Sequence, residues 1–517
     1  MNDRKTIDQP LHANGIFSPG IWTGRVFQGR WVPSEGELIE VREPATGLPL
    51  GTIGGSTPRS VLDTVDRAKR AQLTWQTESP EARARVLRRA AELLEDSHDT
   101  MIEWIIRETG GLRAKAETEL QGTIGELFYS AALFIEPEGQ VLHSANPGRL
   151  SIARRVPLGV VGVITPWNFP LLLAMRSVAP ALAVGNAVVL KPDPQTPITG
   201  GVVLAQIFAE AGLPEGVFQI VNGAADVGEA LVCAPAVRLV TFTGSTRVGR
   251  RVGELAGQHV KKVALELGGK SPFIVLDDAD IDAAASAGAW ASFLHQGQIC
   301  MASGRHIVLR SVAKAYLESL RDHAERLAVG NPFQEDVAIG PIINRRQIER
   351  IHDLVTSSVA GGALIVTGGT YEHPYYRPTV LSDVTPGMAA YEQEIFGPVA
   401  PVVIAENEEH AIQLANDTEY GLAAAVQTAS LERGLRVARG IRAGMIHIND
   451  QTISDLPGIP MGGMGQSGNG SRFGSTTNVD EFTEWQWMTI GATPARYPFR
   501  VVQAVAMAQR DESSRSV

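Results

Sequence analysis

From Val156 onward the chain alternates apolar runs of strand length with stretches of helical spacing, a pattern that few folds accommodate. GVVGVIT, LLLAMRSVAPALAVG and AVVLKP come first, followed by a helix, GVFQIVNG, another helix and LVTFTGS. Strands that alternate with helices in this way build a mostly parallel, doubly wound sheet. A further series follows Lys270: SPFIVLDD, an Ala-rich helix from Ile281 to Leu294, RHIVL, a long helix through Leu327, then PVVIAE and GMIHIND. Two α/β lobes are therefore expected. Upstream, Pro58 to Glu95 and Ala84 to Gly110 read as amphipathic helices, with apolar positions at helical spacing between Arg, Glu and Asp. The segments from about Gln140 to Arg155 and from Glu481 to Ile490 read as extended strands that would expose apolar edges in a monomer, so a homodimer or homotetramer is expected. The polar end AMAQRDESSRSV has no core face and reads as mobile.

Composition narrows the partners. The 517 residues are 44% hydrophobic and 20% charged, without the run of about 18 apolar residues that a membrane span needs. The N-terminal MNDRKTIDQPLHANG has no apolar secretory core, which points to the cytoplasm. A formal net charge of -10 offers no broad basic face, so nucleic acid is excluded as the main partner and a small molecule is expected. Cys233 and Cys300 are the only cysteines. Neither has CxxC spacing or a neighbouring zinc-type His pattern, so neither a disulfide framework nor a metal site is expected.

A few residues carry chemistry. Cys300, in FLHQGQICMASGRH, stands in a Gly- and Gln-flanked turn and reads as a nucleophile able to add to a carbonyl, although a small core residue is the plain alternative. Cys233 lies among aliphatics and reads as core. Glu266, in VALELGGKSPFIVL, sits between an apolar strand and the Gly268–Gly269 turn, where a carboxylate can activate water; taken alone, most Glu residues are solvated. Asn168, in TPWNFP, offers an amide to an oxyanion or simply serves a turn. In FTGSTRVG, Gly244 and Ser245 close a strand and open a helix whose N–H groups can face a phosphate; the same pattern also serves as an ordinary N-cap. Lys191 ends an apolar strand, where a cation can meet a nucleotide or be merely solvated.

Taken together and in order, TPWNFP, LKPDPQTP, FTGS, ELGGKSP, GQIC and EIFGPV resemble the aldehyde dehydrogenase superfamily, from about Gln28 to Gly491. The resemblance implies an α/β fold of two doubly wound Rossmann-like lobes with a small β oligomerisation arm. An NAD(P)-binding domain would span 20–139 and 159–268, the arm 140–158 and 476–495, and a catalytic domain 269–475, with flexible termini at 1–19 and 506–517. It implies Cys300 as nucleophile, Glu266 as general base, and Asn168 with the Cys300 N–H as the oxyanion site. It assigns Ile164, Thr165, Pro166, Trp167, Lys191, Gly223, Gly244, Ser245, Leu267, Glu394 and Phe396 to the cofactor. HQGQICMASGRH, HINDQT, GNGSRFG and DEFTEWQW look most similar to NAD-dependent benzaldehyde and related aromatic aldehyde dehydrogenases. The substrate pocket would then consist of Phe169, Leu172, Arg176, Leu294, Ile299 and Met301, an apolar slot with one cation suited to a flat ring. Two departures stand out. Arg472 replaces a Glu of many relatives, and Pro194 stands where many NAD-preferring relatives carry a Glu, so NAD is expected as principal cofactor with NADP also usable. Vanillin, hydroxybenzaldehydes and aliphatic aldehydes are alternative substrates. A CoA-acylating enzyme and a non-catalytic cofactor-binding relative are the alternative functions, and Glu266 in its ELGGK context argues for water over CoA.

Overall fold

The computed structural model describes residues 17–474, 476–495 and 497. Most of the N-terminal stretch expected to be flexible, and all of the 506–517 tail, lie outside the described residues. The chain divides into two compact units, one of Met1–Glu136 with Pro157–Glu484 and one of Pro137–Val156 with Trp485–Val517.

The helical layer of the larger unit is α1 (Pro58–Trp75), α2 (Pro80–Asp96), α3 (His98–Thr109) and α4 (Arg113–Ala131). The two amphipathic stretches read from the sequence are thus three helices before α4. Pro80 lacks an N–H to continue a helix, and Ser79 accepts from the Ala82 N–H, so the chain stops and restarts there. Gly110, in the left-handed region at φ 69, ends α3.

Next comes a five-stranded parallel sheet of β1 (Val160–Ile164), β2 (Ala187–Lys191), β3 (Phe218–Ile220), β4 (Val237–Thr243) and β5 (Lys262–Glu266), in the order β5-β4-β1-β2-β3. LLLAMRSVAPALAVG forms the helix α5 (Pro170–Ala183) between β1 and β2. Every residue of β1, β2 and β3 is buried, as expected for a parallel sheet covered on both faces.

A seven-stranded sheet follows, built from β6 (Ser271–Val275), β7 (Ser303–Leu309), β8 (Leu364–Thr367), β9 (Thr379–Ser382), β10 (Val399–Ala405), β11 (Ala423–Gln427) and β12 (Met445–Ile448). Its order is β8-β9-β10-β7-β6-β11-β12, parallel except at the β8–β9 edge pair. Separate apolar clusters, one around Ile274 and Ile307 and one around Phe273 and Val308, exploit the alternation of side chains along β6 and β7.

The smaller unit takes most of a three-stranded sheet formed by Gly139–Leu142, Arg149–Pro157 and Thr483–Gly491. Glu481, expected in a strand, instead lies in the last turn of a short helix, Thr477–Phe482. Within this unit the Arg155 guanidinium lies 4.0 Å from the Trp485 ring centroid, and Trp487 Nε1 donates to Ser151 Oγ at 2.9 Å.

Candidate active site

The strand order of the first sheet reverses between β1 and β4, since β2 and β3 are added on one side and β5 on the other. The carboxyl ends of β1 and β4 therefore flank the crevice where doubly wound sheets bind ligands. Only Leu267, Gly268, Gly269 and Lys270 separate β5 from β6, so the chain passes directly from the carboxyl edge of one sheet to the amino edge of the other. Cys300, just before β7, thereby reaches the crevice. Cys300, Glu266 and Asn168 line one cavity of about 680 Å³.

Gly268 and Gly269 are required by close approach, since neither has a positive φ. A Cβ on Gly268 would lie 2.4 Å from Glu394 Oε2, and one on Gly269 would lie 2.5 Å from the Cys300 carbonyl oxygen. The Gly269 N–H donates to Glu394 Oε1 at 3.1 Å.

The turn that presents Cys300 is left-handed at three consecutive residues, His295, Gln296 and Gly297, at φ 48, 56 and 66. For the two non-glycines this costs on the order of 1–3 kcal/mol each and needs external restraint. Gln296 provides it: its Nε2 donates to the carbonyls of Gly110 at 2.7 Å and Pro341 at 2.9 Å. Gln298 Oε1 accepts from the Ile343 N–H at 3.0 Å, and its carbonyl accepts from Asn168 Nδ2 at 2.9 Å. An amide nitrogen has two N–H groups, so Asn168 is oriented by one and keeps the other for a ligand.

Burial dominates the electrostatics. The Cys300 thiol is pushed up to about 12 by desolvation and by the Glu394 and Glu266 carboxylates, against the opposing charge of Arg176. Glu266 is 4% exposed, with the Gly463 N–H directed at its carboxylate. Desolvation raises its proton affinity well above the ordinary carboxylate range, although Arg472 and Arg176 oppose it. Arg472 is anchored by the carbonyls of Gly463 at 3.1 Å and Ser471 at 2.8 Å. Glu394 is pushed up to about 7 by burial.

Of the positions expected to hold a cofactor, Pro166, Trp167, Gly244, Ser245, Leu267, Glu394 and Phe396 line this cavity. Phe396 has φ 56, and its ring meets Trp167 edge-on at 5.4 Å. Ser245 begins the helix α6 (Thr246–Gln258) without a side-chain cap bond, which leaves N–H groups for an anion such as a dinucleotide pyrophosphate. Ile164, Thr165, Lys191 and Gly223 lie off the cavity wall, the first three at or just past the strand ends of β1 and β2 and Gly223 after β3. Lys191 lies close to the Pro192 carbonyl at 3.5 Å; burial lowers its pKa, against Asp193 and Asp226. Asp193 lines the cavity, and its Oδ1 already accepts from the Gln195 N–H at 2.9 Å and from Gln195 Nε2 at 3.2 Å.

Among the expected substrate residues, Phe169, Leu294, Ile299 and Met301 pack with Cys300 and Met461 in one apolar cluster. Leu172 packs toward Gly122 on α4, and Leu173 takes its place on the cavity wall. Arg176 lines the cavity but is neither a free cation nor a surface ion pair: it is 6% exposed and bonded to Glu126 and Asp455. A guanidinium that remains charged in a buried place requires such partners. The sequence reading missed Gln296, Gln298, Asp455 and Met461. Their segments carry no periodicity, and only the two Gln residues of HQGQIC gave a signal.

The chain is similar to known proteins over most of its length. Residues 31–488 match the model of the aldehyde dehydrogenase family. A benzaldehyde dehydrogenase (NAD(+)) of Pseudomonas putida is 48% identical, covering 96% of this chain and all of its own length. A vanillin dehydrogenase of an Amycolatopsis species is 52% identical, covering 92% of this chain and 98% of its own. The crystal structure of a salicylaldehyde dehydrogenase from Pseudomonas putida G7 complexed with salicylaldehyde superposes with a TM-score of 0.89 at 35% identity, covering 92% of this chain and 99% of that one.

Proposed function

This chain belongs to the aldehyde dehydrogenase family, and from that premise we propose that it oxidises an aromatic aldehyde to the carboxylic acid with NAD. The observation that carries the reading is the convergence of Cys300, Glu266 and Asn168 on one cavity at the switch point of a parallel sheet. The uncapped start of α6, with Gly244, Ser245, Glu394 and Phe396 on the same wall, fits a dinucleotide; when bound, NAD accepts the hydride.

Cys300 carries the acyl group. Its thiol is neutral at physiological pH, so its proton passes to solvent as sulfur adds to the carbonyl carbon. Glu266, buried on the same cavity wall, acts only later, on water. The free N–H of Asn168 and the Cys300 N–H receive the alkoxide oxygen of the thiohemiacetal. Loss of hydride leaves a thioester on sulfur. The ionised Glu266 removes a proton from water, which adds to the thioester carbon and expels the thiolate as the acid forms, and Glu266 then releases that proton to solvent.

Two finer readings accompany this one. The smaller unit exposes Val141 and Trp487 at 74% and 71%, which supports a homo-oligomer. Among the described residues no helix is long and apolar enough to cross a membrane; we infer a cytoplasmic enzyme. The purified chain should reduce NAD with benzaldehyde, faster than NADP, and Cys300→Ser should lower the rate by about a thousandfold or more. An active Cys300→Ser variant would remove the assignment.

A further inference from the structure

Behind Asn168 lies a buried ion pair that the reaction itself does not use. Pro170, the first residue of α5, has no N–H, and the Leu173 N–H is bonded to the Phe169 carbonyl at 2.9 Å. The first turn therefore keeps only the Leu171 and Leu172 N–H groups, and no side chain at the Phe169 cap position receives them. Both donate to one oxygen of Glu119 on α4, Oε1, at 2.9 and 3.4 Å. The other oxygen, Oε2, is paired with Lys115 one turn earlier on α4. Both side chains are fully buried.

The pair is tied to both halves of the site. Lys115 Nζ donates to Thr109 Oγ1 at 3.4 Å and lies 4.5 Å from the ring centroid of Phe169, the residue next to Asn168. Phe169 in turn meets the His295 ring edge-on at 5.4 Å. Thr109 precedes Gly110, whose carbonyl accepts from Gln296 of the Cys300 turn at 2.7 Å. The corner between α3 and α4 thus anchors the Cys300 turn directly, and the Asn168 segment through Lys115 and Glu119. Asn168 is held twice, its side chain by the Gln298 carbonyl at 2.9 Å and its main chain by the start of α5. A buried ion pair costs about as much to desolvate as its attraction returns, so stability gives little reason for one here. An oxyanion donor, by contrast, depends on exact placement, since an error of about 1 Å can lower the rate on the order of a hundredfold.

We propose that Glu119, held by Lys115, is a positioning residue for the oxyanion site: by fixing the start of α5 it sets the Asn168 amide where the aldehyde oxygen becomes negative. The inference rests on the role given to Asn168 above and adds to it the side chains that place this donor.

The test is Glu119→Asp in the full-length protein, because the shorter side chain keeps its charge near Lys115 but draws the acceptor back from the Leu171 and Leu172 N–H groups by one methylene. With saturating NAD and benzaldehyde, kcat should fall by about tenfold or more, while the NAD dissociation constant stays within about twofold of wild type. In an Asn168→Ala background the same substitution should cost less than about threefold, because the donor that Glu119 places is gone. A kcat within about threefold of wild type would overturn the proposal, as would an equal loss in both backgrounds or a comparable loss of NAD affinity. Should Glu119→Asp not fold, Lys115→Met with Glu119→Leu, which removes both charges together, carries the same comparison. Wild-type turnover by Asn168→Ala alone would instead remove the oxyanion role itself, and so separates the two failures.

Discussion

Desolvation decides what Cys300 can do before a ligand arrives. With its pKa pushed up to about 12, the thiolate fraction in the free protein rises about tenfold per pH unit across the neutral and moderately alkaline range. Alkylation of Cys300 by iodoacetamide should therefore keep accelerating from about pH 7 to about pH 10, whereas an ordinary thiol levels off above about 8.5. A plateau near that lower value would show that the thiol is not held neutral by burial. The glycines beside Glu266 act at the same scale. Gly268→Ala places a methyl group against Glu394 Oε2, so it should displace that carboxylate and weaken NAD binding, measured calorimetrically, by about tenfold or more. Unchanged affinity would mean that Glu394 does not face the cofactor.

Single elements show what restrains the reactive turn. Gln296→Ala leaves the Gly110 and Pro341 carbonyls without their donor and releases two strained residues. It should cost roughly 1–3 kcal/mol in denaturant unfolding and lower kcat; a variant with wild-type stability and turnover would contradict this role. The first sheet and the strands β6, β7, β10 and β12 of the second were legible in the sequence, because parallel strands buried on both faces are short apolar runs and the helices between them have their own period, whereas β8, β9 and β11 were not read. Pro80 and Ser79 mark the break between α1 and α2, yet the apolar spacing runs past them and joins what the structure separates. Cys300, Glu266 and Asn168 stood out because each sits in a distinctive motif. Asp455 and Met461 did not, because they meet Arg176 only through the fold. Arg176 was visible as a charge among apolar residues, but its partners lie on α4 and on a loop far along the chain, so its ion pairing had no local trace.

At the scale of the whole molecule, the four residues between β5 and β6 set the active-site plan by leading from the carboxyl edge of one sheet to the amino edge of the next. The exposed Val141 and Trp487 belong to the smaller unit, and light scattering should report an assembly larger than a monomer that Val141→Asp with Trp487→Ser shifts toward monomer. A monomeric wild-type protein would contradict that reading. The central claim is that Cys300 carries the acyl group and Glu266 supplies the water that removes it. Mixing Glu266→Gln with NAD and an aromatic aldehyde, then quenching within the first turnovers, tests it most directly. The account predicts a burst of about one NADH per subunit, slow turnover thereafter, and an acyl adduct on the peptide containing Cys300. Steady turnover from the first cycle, with no adduct on Cys300, would contradict it.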